Sequence, residues 1–135
     1  TYRDGKTVIF ENADLLPTLR DILLKTHATT RAALTSIAPG KELPWHKDWD
    51  PCPPNSVVIR VLWGLDVPVE KGKHCFMEIK TTTGTQHDDF ADNKPFMFWS
   101  QCQHRVVNQL TQKRIVIGFD IVKPITEVVN KLAFA

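Results

Sequence analysis

From residue 31 onward the chain breaks into seven short runs rich in β-branched and aromatic residues, and no other feature limits its fold as strongly. The runs are Arg31 to Ile37, Glu42 to Trp49, Val57 to Leu65, His74 to Lys80, Pro95 to Trp99, Gln103 to Asn108 and Arg114 to Val122, separated by Pro, Gly, Asn and Asp. Strands this short, with turn signals between them, bury their apolar sides by forming an antiparallel sandwich or barrel. A jelly roll, whose funnel can carry a metal, fits best, and the chain is expected to be mostly β. Ala38-Pro39-Gly40-Lys41 is a turn between the first two runs, and Lys71-Gly72-Lys73 is another. The polar stretch Thr81 to Asn93 reads as a loop, and Thr81 to Lys94 is long enough for a lid.

The first thirty residues read differently. A short strand is expected within Lys6 to Glu11. Asn12 or Asp14 then caps a helix running to about Lys25, whose Leu15, Leu16, Leu19, Ile22 and Leu23 form an apolar stripe suited to packing on the sheet. With 135 residues, 42% of them hydrophobic, the chain supports one core. A single domain over 1–135 follows: an N-terminal strand and helix (1–30), a β core (31–122) and a C-terminal extension (123–135) with a short helix, Ile125 to Leu132.

A net charge of +2 without a basic block argues against a groove-bound nucleic acid. No apolar run approaches the roughly 20 residues that span a bilayer, and Thr1-Tyr2-Arg3-Asp4 lacks a secretory core, so no membrane partner is expected. Cys52, Cys75 and Cys102 are odd in number and unrelated in spacing, which fits neither a disulfide framework nor a zinc motif and agrees with a reducing cytoplasm.

The chemistry begins at Leu43-Pro44-Trp45-His46-Lys47-Asp48-Trp49. In an extended segment His46 and Asp48 point to one face and can grip one ion. With a second histidine they form a two-histidine, one-carboxylate set with open positions, typical of non-haem Fe(II) oxygenases. His87-Asp88-Asp89 repeats the H-x-D pattern in the polar stretch, where a solvated loop is the better reading. Downstream, His104 and Arg114 flank Asn108 to Gln112, which reads as a hairpin loop, so the two are expected as cross-strand neighbours on one face. Arg114 opens an apolar strand and requires an anion there: either a bound dicarboxylate that also chelates the metal, or an internal acid such as Asp120. Trp63 and Trp99 are expected in the core, Trp49 at an entrance, and Cys102 as a small buried hydrophobe.

Three stretches together carry a resemblance: Ala38 to Asp48, Phe98 to Asn108 and Arg114 to Asp120. This combination of Pro-Gly turn, proximal histidine, distal histidine and arginine ten residues later resembles the aspartyl/asparaginyl β-hydroxylase family of Fe(II)- and 2-oxoglutarate-dependent oxygenases over about residues 31–122. The resemblance implies a double-stranded β-helix, with His46 and His104 as iron ligands and Arg114 as the anchor of the distal 2-oxoglutarate carboxylate. Thr35 falls where the family has a serine near that carboxylate. Arg60 matches the arginine of an R-x-H element that faces substrate, its bland reading being a structural pair with Asp66 or Glu70. Two departures stand out. Leu62 replaces the histidine of R-x-H, and Asp48 stands where vertebrate protein hydroxylases of the family have glycine, completing a facial triad. The implied activity is an O2-consuming hydroxylation of an amino acid, or of an Asp, Asn or Pro side chain in a peptide or protein. The rival readings are a cupin-like metal-binding module without turnover, which has no need of Arg114, and a structural sandwich whose histidines never meet. Nothing in the sequence specifies an oligomeric state.

Overall fold

The computed structural model describes residues 2–3, 6–7, 15, 17–26, 32–48 and 53–126. Strands β1 (Tyr2–Arg3) and β2 (Lys6–Thr7) form a small antiparallel ribbon, followed by helix α1 (Pro17–Thr26). A proline suits the first turn of a helix, where its missing N–H has no partner to lose, and Lys25 complements the dipole at the other end. Leu15, first of the expected apolar stripe, is 78% exposed. Asn12, Asp14, Leu16 and the side chains of Leu19, Ile22 and Leu23 lie outside the described residues, so the expected packing of the helix on the sheet is unsupported. Of the expected C-terminal helix, Ile125 and Thr126 are helical and the rest lies outside the described residues.

Eight further strands build the body: β3 (Ala32–Ile37), β4 (Glu42–His46), β5 (Ser56–Asp66), β6 (Cys75–Thr81), β7 (Gly84–Asp89), β8 (Pro95–Trp99), β9 (His104–Asn108) and β10 (Arg114–Pro124). They pair antiparallel in two four-stranded sheets, ordered β3-β10-β5-β8 and β4-β9-β6-β7. Successive strands therefore alternate between sheets except at the β6–β7 hairpin, the mark of a double-stranded β-helix. Met77, Phe90, Phe96, Val106 and Val116 fill the space between the sheets, each burial contributing roughly 1.5–3 kcal/mol.

Three expectations change here. The polar run after Thr81 is not a lid: β7 lies inside it, paired with β6 from Phe76↔Asp89 to Thr81↔Gly84. Its polarity reflects an edge position with most side chains in solvent, where alternation with a core gives no signal. Trp63 and Trp99 are 40% and 49% exposed. They take the outer face of their sheet, because Leu62 and Phe98 take the inner one.

The expected hairpin loop, Asn108 to Gln112, is not one: Asn108 ends β9, and residues 109–113 are the connection that follows. They carry the chain from β9 in one sheet to β10 in the other. Fully buried Asn108 holds this corner. Its amide donates to the carbonyls of Ile37, Ala38 and Gln112, and its oxygen accepts from the Leu110 N–H. The same residue thus ties down the opposite crossover, the Ala38–Lys41 turn, where Gly40 at φ 62° supplies the left-handed position the turn requires.

Candidate metal centre

On β4, Pro44 has no N–H to give to a ladder, and the pairing with β9 shifts register between Leu43 and His46. Proline is tolerated at such an irregular edge. The consequence is local: the Pro44 carbonyl lies 2.7 Å from His46 Nδ1. On β9, His104 Nδ1 lies 2.9 Å from the Cys102 carbonyl. Each carbonyl accepts the Nδ1 proton, which leaves Nε2 of both rings as the lone-pair nitrogen. His46 and His104 are directly opposed across the strand pair, with ring centroids 4.2 Å apart, and Phe98 packs edge-on against His104.

Asp48 reaches the histidines by a different route from the expected one. Strand β4 ends at His46, so the period-two argument does not place the carboxylate. A backbone hydrogen bond does: Asp48 N–H donates to Ser100 O at 3.1 Å, and Ser100 N–H donates to Val58 O. Asp48 Oδ1 is 3.6 Å from His46 Nε2, and Oδ2 is 3.6 Å from His104 Nε2. One donor atom from each of the three residues lies within 4.8 Å of the others, a set that could hold a metal ion. Burial, more than any charge, holds the His104 pKa below its ordinary value, which favours the neutral imidazole a metal requires.

The triad lines a cleft of about 450 Å³ between the sheets, shared with Thr35, Arg60, Leu62, Arg114 and Asp120. Arg114 lies on the opposite sheet from His104 and pairs with Ile37, so the two are not strand neighbours. Both line the cleft instead, from opposite sheets. Arg114 is 3% exposed, and its Nε and Nη1 have no hydrogen-bond partner among the described residues. Its guanidinium stacks 4.4 Å from the Phe90 ring centroid, and burial pulls its pKa down while the neighbouring Cys75 thiol offsets part of that. Asp120 is not its partner. That acid accepts two 2.7 Å bonds from Arg60 Nε and Nη2. Arg60 Nη1 also donates to Asp48 Oδ2, so neither Asp66 nor Glu70 pairs with it; Glu70 instead accepts from Thr111 and lies near Lys73.

Thr35 faces Val116 and lines the cleft while remaining exposed. Leu62 lines it too, with no polar group in place of a histidine. Trp49 lies outside the described residues, as does Cys52. Cys102 is half-buried against the core and matters through its carbonyl. His87 of the second H-x-D pattern is exposed on β7, near Glu78 and Asp89, away from the cleft. The sequence reading missed Asn108, the Asp120–Arg60 pair and the two orienting carbonyls. For Asn108 a signal existed: His104, Val106 and Asn108 alternate along β9, so a polar residue had to sit on the buried face.

Among the described residues no helix is long and apolar enough to cross a membrane. A comparison with curated protein sequences gives no match. Among solved structures, a prolyl-4-hydroxylase from Pseudomonas putida superposes with a TM-score of 0.56 at 13% identity, over 86% of this chain and 70% of its own. A non-haem monooxygenase, ThoJ in its nickel complex, gives 0.50 at 15% identity, over 73% of this chain and 46% of its own. The chain therefore spans less than half of that monooxygenase, and at these identities the likeness is one of fold. The sequence itself reaches further, because the profile of the aspartyl/asparaginyl β-hydroxylases matches residues 2–124, the whole two-sheet body and the thirty residues before it. By that match the chain belongs to the aspartyl/asparaginyl β-hydroxylase family.

Proposed function

We propose that this chain is an Fe(II)- and 2-oxoglutarate-dependent dioxygenase domain that hydroxylates an amino acid, or an Asp, Asn or Pro side chain of a peptide or protein. The observation that carries the proposal is Arg114: a residue only 3% exposed, with two guanidinium N–H groups lacking acceptors among the described residues, in the same cleft as His46, Asp48 and His104. A buried cation without a partner costs several kcal/mol, and an entering carboxylate removes that cost. The fit is good on both sides, since two neutral imidazoles and a carboxylate suit a divalent iron and a planar fork suits a carboxylate.

Iron and 2-oxoglutarate would supply the oxidation, in which O2 and the cosubstrate are consumed, succinate and CO2 leave, and a substrate C–H becomes C–OH. The residues supply the rest. His46, Asp48 and His104 hold the ion, Arg114 fixes the far end of the cosubstrate with Thr35 beside it, and Leu62, Phe98 and Val106 keep the cleft wall apolar. Membership of a hydroxylase family and the fold shared with a prolyl-4-hydroxylase support the reaction class.

The test adds Fe(II) and 2-oxoglutarate without oxygen to the metal-free protein, with Arg114→Ala and Asp48→Ala beside it. A weak visible charge-transfer band in the parent, reduced in both variants, is expected. Stoichiometric metal binding with no band in the folded parent would sink the oxygenase reading in favour of a cupin-like metal module.

A further inference from the structure

Asp48 is the one proposed ligand that no strand holds, since β4 ends before it. The bond from Asp48 N–H to Ser100 O fixes its backbone but leaves the carboxylate free to sample several rotamers, and a chelating geometry tolerates little of that. In this fold a side chain takes over the task. Arg60 projects from the inner face of β5, directly opposite Asp120 of β10. Asp120 is 1% exposed and grips the Arg60 fork through both oxygens at 2.7 Å, the bidentate arrangement that fixes a guanidinium in its plane. The remaining arm of that fork, Nη1, donates to Asp48 Oδ2.

We propose that Arg60 is a positioning residue for the metal centre: anchored by buried Asp120, it holds the Asp48 carboxylate in place beside His46 and His104. The inference rests on the metal reading above and departs from the substrate-facing role that the family resemblance implies for Arg60. The charges agree with it. Among the described residues the guanidinium lies between the Asp120 and Asp48 carboxylates and attracts both. The guanidinium is committed on both sides, so a substrate carboxylate that took it would draw it from Asp48. Substrate recognition then falls to other groups of the cleft, such as Lys41.

The test uses Co(II), with its d–d spectrum, in the full chain. Removing only Arg60 would strand the buried Asp120 carboxylate, so the main variant is R60M/D120L, which replaces the ion pair by apolar groups of similar size, a change that folded proteins often accept. It is compared with the parent, with D48A and with the triple variant. The proposal expects R60M/D120L to bind Co(II) about 10–100-fold more weakly, as loss of an orienting partner does, with an altered d–d spectrum. The triple variant should match D48A within about threefold, because without the carboxylate there is nothing left to position. Parental affinity and spectrum in R60M/D120L overturn the proposal, and so does an equal loss in the presence and absence of Asp48, which would mark a merely structural pair. R60K, which keeps the buried charge balance but loses the fork, serves if the double variant does not fold. It should lose about tenfold in Co(II) affinity, and parental affinity there also overturns the proposal. Failure of the parent to bind Co(II) would bring down the metal reading and this inference together, a result distinct from either of these.

Discussion

Two arginines enter the same cleft, and their surroundings are opposite. Arg60 meets carboxylates on two sides, Asp120 and Asp48. Arg114 is more deeply buried, yet among the described residues it meets an aromatic face, a thiol and no carboxylate, with two nitrogens unpartnered. A buried polar group without a partner calls for an explanation, and under the proposed function that explanation is a carboxylate that enters the cleft. The contrast separates an arginine already paired within the fold from one that the proposed function pairs with a ligand.

The contrast is sharpest in the stability of the metal-free protein. Asp120→Ala leaves Arg60 buried without its anchor and should cost about 3–5 kcal/mol, read by urea unfolding. A cost under about 1 kcal/mol would show that the pair is not what fixes Arg60. Arg114→Met removes a burden instead, so the metal-free variant should be as stable as the parent or more so by about 1–3 kcal/mol. A clear loss of stability there would mean that Arg114 already has its partner.

Ligand linkage gives the next effect. With metal present and 2-oxoglutarate at a hundred times its Kd, the parent should gain about 2.7 kcal/mol of stability. Arg114→Met should lose most of that gain, while Thr35→Val should lose only about 0.5–1.5 kcal/mol of it, the worth of one hydrogen bond. Equal losses would place the anchor elsewhere. A smaller effect comes from His104. Its folded pKa is depressed by burial, so between that value and the unfolded pKa near 6.5 the unfolded chain binds the extra proton. Stability of the metal-free protein should therefore be unaffected above about pH 6.5 and fall as the pH drops below it; His104→Gln should flatten this slope.

How much of this was legible beforehand depended on range. The strands β8, β9 and β10 follow from their alternation almost residue for residue, and the two histidines and Arg114 follow from their motifs. Strand β7 did not, since an edge strand wetted along most of its length carries no apolar period. Nor did the relation between His104 and Arg114. A five-residue connection that closes a hairpin and one that crosses between sheets have the same composition, and only the buried Asn108, bonded to carbonyls some seventy residues away, decides between them.

The sequence by itself determined the β class, the Pro-Gly turn, the family, and which side chains are available for metal and anion. Each of these depends on local conformation or on residue identity, which a linear chain carries in full. Tertiary structure alone decided that Asp48 contacts Ser100 and Arg60, that Asp120 pairs with Arg60, and that Arg114 stands across the cleft with no carboxylate among the described residues. Those are pairings between distant residues, and a charge in a sequence does not name its partner until the sheets have closed around it.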